Sequence, residues 1–251
     1  MRGGAAAILA AFALVASPAA RAQDPSIRLE TLTERIAKLH AQVGQGVLVE
    51  RSRRALPEAV RDFETALREV RSRPAGPEIR DNYVLLALLW TDYRAWALKP
   101  ATRDNARKLA ERAEEVAWVA AKGARLSHDA GRKGTGLLAL EAAHAATLSQ
   151  RLARLYLLRR WDVKPETSER AAPAVETELQ RTLDKLRAAP ANTPAIETEL
   201  QAAQGQLAFL LQAGRELDTR KAETRTLEFA AKSADHLLES MQRVVRLYEG
   251  G

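Results

Sequence analysis

The chain has no cysteine among its 251 residues, and only 5% of them are aromatic. The missing cysteine excludes a disulfide scaffold, an iron–sulfur site and covalent haem attachment, and no histidine pair has the spacing of a zinc ligand set. Strand-type alternation is also lacking, which excludes a phosphate-binding glycine loop placed after a strand. Hydrophobic residues make up 46% of the chain and charged residues 28%, a balance typical of one or two folded soluble domains.

Residues 1–22 have the layout of a cleavable secretory signal. Arg2 precedes an apolar stretch over residues 5–16, and the small-residue pattern Ala20-Arg21-Ala22 follows it. An apolar stretch of about 12 residues is shorter than the ~20 that a membrane-spanning helix needs. We therefore expect cleavage, a mature chain that begins at Gln23 and a periplasmic location; an uncleaved membrane anchor is the alternative.

Basic residues exceed acidic ones only modestly, with 39 Lys and Arg against 32 Asp and Glu. The two signs are interspersed along the chain and form no basic block. A solvated surface explains this pattern better than a nucleic-acid interface does. We expect no nucleic-acid partner.

Apolar residues recur at spacings of three and four, which predicts amphipathic helices along the whole chain. Four stripes precede residue 126: Leu29, Leu32, Ile36, Leu39 and Val43; Phe63, Leu67 and Val70; Leu86, Leu89, Tyr93 and Trp96; Leu109, Ala113, Val116 and Ala120. Four more follow: Leu148, Leu152 and Leu155; Leu179, Leu183 and Leu186; Ile196, Leu200, Leu207 and Leu211; and a last stripe over residues 227–245.

Turn signals separate these stripes. Pro57 is read as the start of the second helix, residues 73–77 as the turn after it, and Lys99-Pro100 as the turn after the third. The polar, glycine-containing residues 127–136 are read as a linker. The prediction is an all-α protein of two tandem antiparallel four-helix bundles, residues 23–126 and 137–251.

The second half repeats the first at an offset of 116 residues. Residues 32–40 align with residues 148–156, and every position is identical or chemically close. The same offset places Pro57 on Pro173 and Phe63 on Leu179. A period of this length is too long for a stacking solenoid repeat, so the pattern predicts a duplicated domain.

Residues 148–158, LSQRLARLYLL, resemble the opening helix of the N-terminal sensing domain of type IV pili methyl-accepting chemotaxis transducers (PilJ-type). That domain is similar to the periplasmic four-helix sensor of nitrate/nitrite histidine kinases, and residues 33–43 look like a weaker second copy. The resemblance implies a sensory, ligand-binding module in which this helix forms an interface and binds a small anion. The matching positions are Ser149, Gln150 and Arg151, with Arg35 in the weaker copy.

Arg35 and Arg151 occupy equivalent places in the two copies. If the bundles pack about a pseudo-two-fold axis, both guanidinium groups would converge on one anion. In the alternative, each arginine covers the bundle rim with its stem and keeps its head in water.

Trp90, Tyr93 and Trp96 fall on one helix face and predict either an aromatic wall of a ligand pocket or ordinary core packing. The second copy has Leu207, Leu210 and Ala213 at the corresponding places. An aromatic pocket would therefore belong to the first copy alone.

Catalytic and metal-binding patterns are weak. Glu141 and His144 form a single E-x-x-H, whereas di-iron bundles need two such motifs and two further carboxylates. The consecutive residues Ser127, His128 and Asp129 point in different directions and cannot form a hydrolase relay. We expect no metal, no cofactor and no enzymatic activity.

Two function classes remain. The first is a periplasmic sensory module that binds a small solute or anion and relays the bound state to a membrane-bound receptor or envelope protein. The second is a structural or adaptor protein that docks other envelope proteins through its helix faces. The sequence leaves open whether the bundles stack end to end or side by side.

Overall fold

A computed structural model describes residues 24–73, 75–129, 136–217 and 223–250. The predicted signal segment therefore lies outside the described residues. The described part of the chain is all-α, as predicted, and contains no strand. Its helices are α1 (Pro25–Gly44), α2 (Val49–Ser72), α3 (Pro77–Ala97), α4 (Arg103–Asp129), α5 (Gly136–Arg160), α6 (Pro165–Arg187), α7 (Pro194–Leu217) and α8 (Thr224–Gly250).

Local sequence signals explain where several helices begin. Pro25 and Pro77 occupy the first turns of α1 and α3, where the missing N–H costs no helical hydrogen bond. The Asp24 carboxylate caps α1 by accepting a hydrogen bond from the Ser26 amide at 3.0 Å. These features set the start of α1, the helix on which the rest of the fold is centred.

The helices form two groups in chain order. In the first half, α1 packs against α2 and α4, and α3 packs against α4. In the second half, α5 packs against α6 and α8, and α7 packs against α8. One buried cluster is built from α1–α4 around Phe63, Tyr83 and Tyr93, and a second is centred on α5–α8.

The halves lie side by side, because α1 packs along α5 as extensively as it packs against the helices of its own half. The two helices run parallel and in register. The Thr31 and Thr147 hydroxyls are 2.7 Å apart near the beginning of the pair, and the Gln45 side-chain amide donates to the Leu157 carbonyl at 3.0 Å near its end. We call this α1–α5 interface the seam.

The turn after α1 and the turn after α5 have the same backbone at an offset of 116 residues. Gly46 and Leu48 have positive φ, and so do their counterparts Asp162 and Lys164. The amide of Val47 donates to the Gln42 carbonyl, and the equivalent bond joins Val163 to Leu158, both at 2.9 Å. Identical left-handed positions in two dissimilar turn sequences support the predicted duplication.

The repeat continues through the last helix of each half with a longer offset. The buried residues Ala113, Val116 and Ala120 of α4 correspond to Ala234, Leu237 and Met241 of α8, an offset of 121 (234 − 113). Part of the extra length lies in α7, which has 24 residues where α3 has 21. Each half therefore presents the same four helices in the same order.

Two predicted boundaries differ from the structure. Pro57 lies inside α2, which already begins at Val49, and Pro173 likewise lies inside α6. Residues 127–129 of the predicted linker are the last turn of α4, and Gly136 opens α5; residues 130–135 lie outside the described residues. No helix within the described ranges is long and apolar enough to cross a membrane.

Candidate functional site: a groove beside the seam

The seam buries charged side chains that the α1 stripe did not predict. Arg154 of α5 is 2% exposed and donates to both carboxylate oxygens of Glu34 on α1, at 2.6 and 3.4 Å. Its Nη2 also donates to Glu114 of α4 at 2.7 Å. These two carboxylates raise the pKa of Arg154 despite the opposing effect of burial. The guanidinium therefore joins three helices from both halves.

Lys38 is the counterpart of Arg154 at the 116-residue offset, and it reaches across the seam in the opposite direction. It is fully buried and forms an ion pair with Asp235 of α8. Burial lowers the pKa of Lys38, while the facing cations Lys38, Arg35 and Arg51 lower the pKa of Asp235. Each half thus sends one cation from its first helix to a carboxylate on the last helix of the other half.

Arg35 and Arg151 diverge, so the predicted convergence on one anion is wrong. Arg151 forms an ion pair with Glu114 of α4 at 2.6 Å, on one side of the seam. Arg35 faces Asp235 of α8 on the other side, although no described residue accepts a bond from its buried Nε. The helices α1 and α5 run parallel and are related by a pseudo-two-fold axis. Equivalent residues next to the contacting face of each helix therefore point to opposite sides of the seam.

Two adjoining cavities lie on the Arg151 side of the seam, between α1, α4 and α5. The inner cavity measures about 180 Å³ and is lined by Ile27, Glu30, Ala121, Ala124, Arg125, Leu140, Glu141, Ala143 and His144. The outer cavity measures about 680 Å³ and is lined by Glu30, Leu89, Glu114, Glu115, Ala117, Trp118, Val119, Ala121, Arg125 and Arg151. Glu30, Ala121 and Arg125 line both, and we call the joined cavities the groove.

Glu30 is the central carboxylate of the groove. Burial, together with neighbouring Glu34, raises its pKa from 4.5 to about 7 against the lowering effects of His144, Arg125 and Arg151. No side chain among the described residues forms an ion pair or hydrogen bond with Glu30. The groove therefore contains a half-buried carboxyl group that can be neutral or charged near neutral pH.

Cationic and aromatic groups complete the groove. Arg125 is exposed, lines both cavities and has no ion-pair partner within the described ranges. Trp118 is 63% exposed at the outer cavity. The Nε of Arg151 is buried without an acceptor, although its Nη2 is paired. The groove thus combines opposite charges and one exposed ring.

The other residues predicted from the PilJ resemblance lie away from the groove. Ser149 is fully buried and donates to the Ala146 carbonyl at 2.7 Å, and Gln150 donates to the Ala234 carbonyl at 2.9 Å. The first bond lies within α5, and the second joins α5 to α8. Of the residues in that motif, Arg151 lines the groove.

Trp90 and Tyr93 lie in the core of the first half, as the packing alternative predicts. Trp90 stacks on Phe63 with ring centroids 3.8 Å apart, and Tyr93 is fully buried and donates to the Thr33 carbonyl at 2.7 Å. Burial places the pKa of Tyr93 well above its ordinary value. Neither ring lines the groove.

The E-x-x-H pair contributes to packing between α5 and α6. His144 lies 2.9 Å from Glu178, and Glu141 accepts from Lys185 at 2.5 Å. Within the described ranges, no group of three or more acidic, histidine or cysteine residues has the geometry of a metal site.

Sequence reasoning missed Glu30 and Arg125. Both belong to helices whose apolar stripes were predicted, but they lie on faces that appeared solvated. The available signal was the repeat itself, because Glu30 of the first copy aligns with Ala146 of the second. A charged residue in one copy and a small apolar residue in the other mark a place where the copies differ in chemistry.

No protein-family model, curated protein or solved structure matches this chain. The described part of the chain is all-α, and a charged groove lies beside its seam.

Proposed function

We propose that the protein is a periplasmic ligand-binding, sensory module whose site is the groove. The observation that carries this proposal is that Glu30 and Arg125 line the same cavities without an ion-pair partner among the described residues. Charged groups at a concave surface between packed helices are typical of small-molecule sites, in which a few polar groups orient the ligand. The ligand is a small solute or anion.

The groove adjoins the ion-pair network of the seam, which provides a route for relaying occupancy. Arg151 lines the outer cavity and shares Glu114 with Arg154, and Arg154 holds Glu34 on α1. Arg151 also interacts electrostatically with Glu30, so a charged ligand beside Glu30 alters the interaction of Arg151 with Glu114 and the balance of contacts between α4 and α5. A small shift of these helices would change the surface presented to a membrane-bound receptor or envelope protein.

This arrangement agrees with the resemblance noted in the sequence. In the PilJ-type family, opening helices of two chains meet at an interface. Here α1 and α5 of a single chain meet in parallel, so one chain supplies both sides. The proposed site lies beside that interface.

Thermal unfolding of residues 23–251 against a panel of small anions and organic solutes tests the proposal. A ligand that binds only the folded state raises Tm in a saturable way. We expect one class of solute to do so, and Arg151→Ala to reduce the shift. Arg112→Ala is the matched control, because Arg112 pairs with Asp92 on the exposed side of α4. No shift from any compound would contradict the proposal.

A second candidate is the adaptor function, which an exposed apolar surface favours. Val84, Leu85 and Leu88 on α3 are 44–68% exposed, and Trp118 on α4 is 63% exposed. Apolar residues grouped in this way are typical of protein-docking surfaces. Self-association or envelope-protein binding that Leu88→Glu abolishes, with no solute response, would favour the adaptor.

A further inference from the structure

The unpaired charges of the groove have opposite signs and do not pair with each other. Glu30 and Arg125 are close enough to interact electrostatically, yet they form no ion pair. Both line the inner and the outer cavity. The space between a carboxylate and a guanidinium that do not meet suits a ligand that carries both complementary charges.

The remaining charges of the inner cavity are already matched by neighbours. Glu141 accepts from Lys185 at 2.5 Å, and His144 contacts Glu178 at 2.9 Å. In the outer cavity, Glu114 is shared by two arginines of α5. Glu30 and Arg125 are therefore the groups of the inner cavity that a ligand can neutralise without breaking an ion pair.

The size and apolar wall of the inner cavity limit the rest of the ligand. Its volume of about 180 Å³ is below the ~300–1,000 Å³ of drug-sized sites. Ile27, Ala124 and Leu140 supply an apolar surface beside the charges. A small molecule with a compact apolar substituent fits these walls.

We propose that the groove binds a zwitterion of the α-amino acid class, with its ammonium group at Glu30 and its carboxylate at Arg125. The side chain lies against Ile27 and Leu140. This inference rests on the proposed function and specifies its ligand class.

The repeat predicts one such site per chain. At the 116-residue offset, Glu30 corresponds to Ala146, which is 2% exposed and cannot receive an ammonium group. The opposite side of the seam therefore lacks the carboxylate, and the binding stoichiometry is one.

Isothermal titration calorimetry of residues 23–251 with the twenty standard L-amino acids tests the inference. The tightest binder is then compared with two analogues of the same side chain, the amine without the carboxylate and the acid without the amino group. We expect one-to-one binding of the amino acid and a loss of about tenfold or more for each analogue, because each lacks one charge-assisted contact.

Variants assign the two contacts. Glu30→Gln is expected to weaken amino acid binding by about tenfold and to leave the deaminated acid unaffected; Arg125→Gln is expected to weaken both of these ligands. Lys122→Gln is the matched control, since Lys122 is on the same helix but lines neither cavity, and its affinity should equal that of the parent chain. Circular dichroism checks that each variant is folded.

These experiments distinguish failure of the zwitterion assignment from failure of the proposed function. Binding of an acid or inorganic anion as tight as that of the amino acid, and insensitive to Glu30→Gln, would overturn the zwitterion assignment and leave the binding module in place. No heat from any amino acid, together with no Tm shift from any anion or solute, would overturn both.

Discussion

At the edge of the seam, the first half places Glu30 where the second half has the buried alanine Ala146. At the centre of the seam, the first half has Lys38 and the second has the longer, forked Arg154. The turns that follow α1 and α5 nevertheless share their positive-φ positions and hydrogen bonds. The two halves therefore share the backbone of these turns and differ in their charges.

The comparison of the two halves indicates which positions are constrained by the backbone and core and which by the matching of buried charges. At the turns both copies keep the same backbone although the side chains differ, as Gly46 and Asp162 show, and in the core both copies keep apolar residues. Positions along the seam require only that buried charges be matched, and Lys38–Asp235 and Arg154–Glu34 meet that need with different residues. The groove lies on the Arg151 side of the seam, where Glu30 supplies a carboxyl group that its counterpart Ala146 lacks.

The largest expected effect comes from breaking the Arg154 network. Arg154→Ala leaves Glu34, whose side chain is 1% exposed, buried without its cation. Loss of one partner of a buried pair costs about 3–5 kcal/mol. Urea unfolding should show this loss, whereas Arg112→Ala, in an exposed pair with Asp92, should cost no more than about 1 kcal/mol. Equal effects for the two variants would refute the burial argument.

The close contact between the ends of α1 and α5 gives the next largest effect. A Cβ added at Gly44 would lie 2.1 Å from the Trp161 ring and 2.7 Å from the Ala101 carbonyl oxygen. Gly44→Ala should therefore lower the free energy of unfolding by about 1–3 kcal/mol.

Gly205→Ala is its matched control, because nothing lies within 4 Å of the added Cβ in the middle of α7. That variant should be more stable than the parent chain by about 0.5–1 kcal/mol. A neutral Gly44→Ala would indicate that the two helix ends do not meet.

The Glu30 carboxyl group should make stability depend on pH. Its pKa rises from 4.5 to about 7 on folding, so the folded chain binds the proton more tightly and loses stability as pH rises from about 4.5 to 7. Glu34, Arg125, His144 and Arg151 face this group from α1, α4 and α5.

Glu30→Gln removes this loss. The free energy of unfolding of the variant minus that of the parent chain should therefore increase from pH 5 to pH 8. The increase should be no more than about 3 kcal/mol, because the carboxyl group is partly accessible. Urea unfolding at both pH values measures the difference. A pH-independent Glu30→Gln effect would exclude the raised pKa.

The smallest effect concerns the threonine pair on the pseudo-two-fold axis. Thr31 and Thr147 share a hydrogen bond of 2.7 Å, and Thr147 also donates to the Ala143 carbonyl. A double-mutant cycle with Thr31→Val and Thr147→Val should give a coupling of about 0.5–1.5 kcal/mol. A coupling of zero would show that the two hydroxyl groups do not interact.

Helix number, fold class and duplication could be predicted from sequence because they depend on local periodicity and on alignment of the copies. The seam could not. Leu29, Leu32 and Ile36 mark one face of α1, but Thr31, Glu34 and Lys38 on the other face look solvated until α5 covers them. A polar residue buried by a distant helix carries no local signal of its burial.

The same limit applies to the candidate site. Arg151 was predicted from its resemblance to a known motif and does line the groove, but its predicted partner Arg35 lies on the opposite side of the seam. The side of the seam on which each arginine lies depends on its angular position around its own helix. That position is set relative to the residues through which α1 and α5 touch. Trp90 and Tyr93, which the sequence offers as either a pocket wall or core residues, pack in the core of the first half.

The absence of cysteine permits a direct test of the seam. Thr31→Cys combined with Thr147→Cys places two thiols where hydroxyls now lie 2.7 Å apart, a separation compatible with a disulfide. Mild oxidation should close an intramolecular cross-link in nearly every chain, seen as faster non-reducing electrophoretic migration. The control Thr31→Cys with Leu155→Cys, in which Leu155 belongs to the core of the second half, should not close. A cross-link in the control but not in the threonine pair would contradict the parallel, in-register packing of α1 on α5.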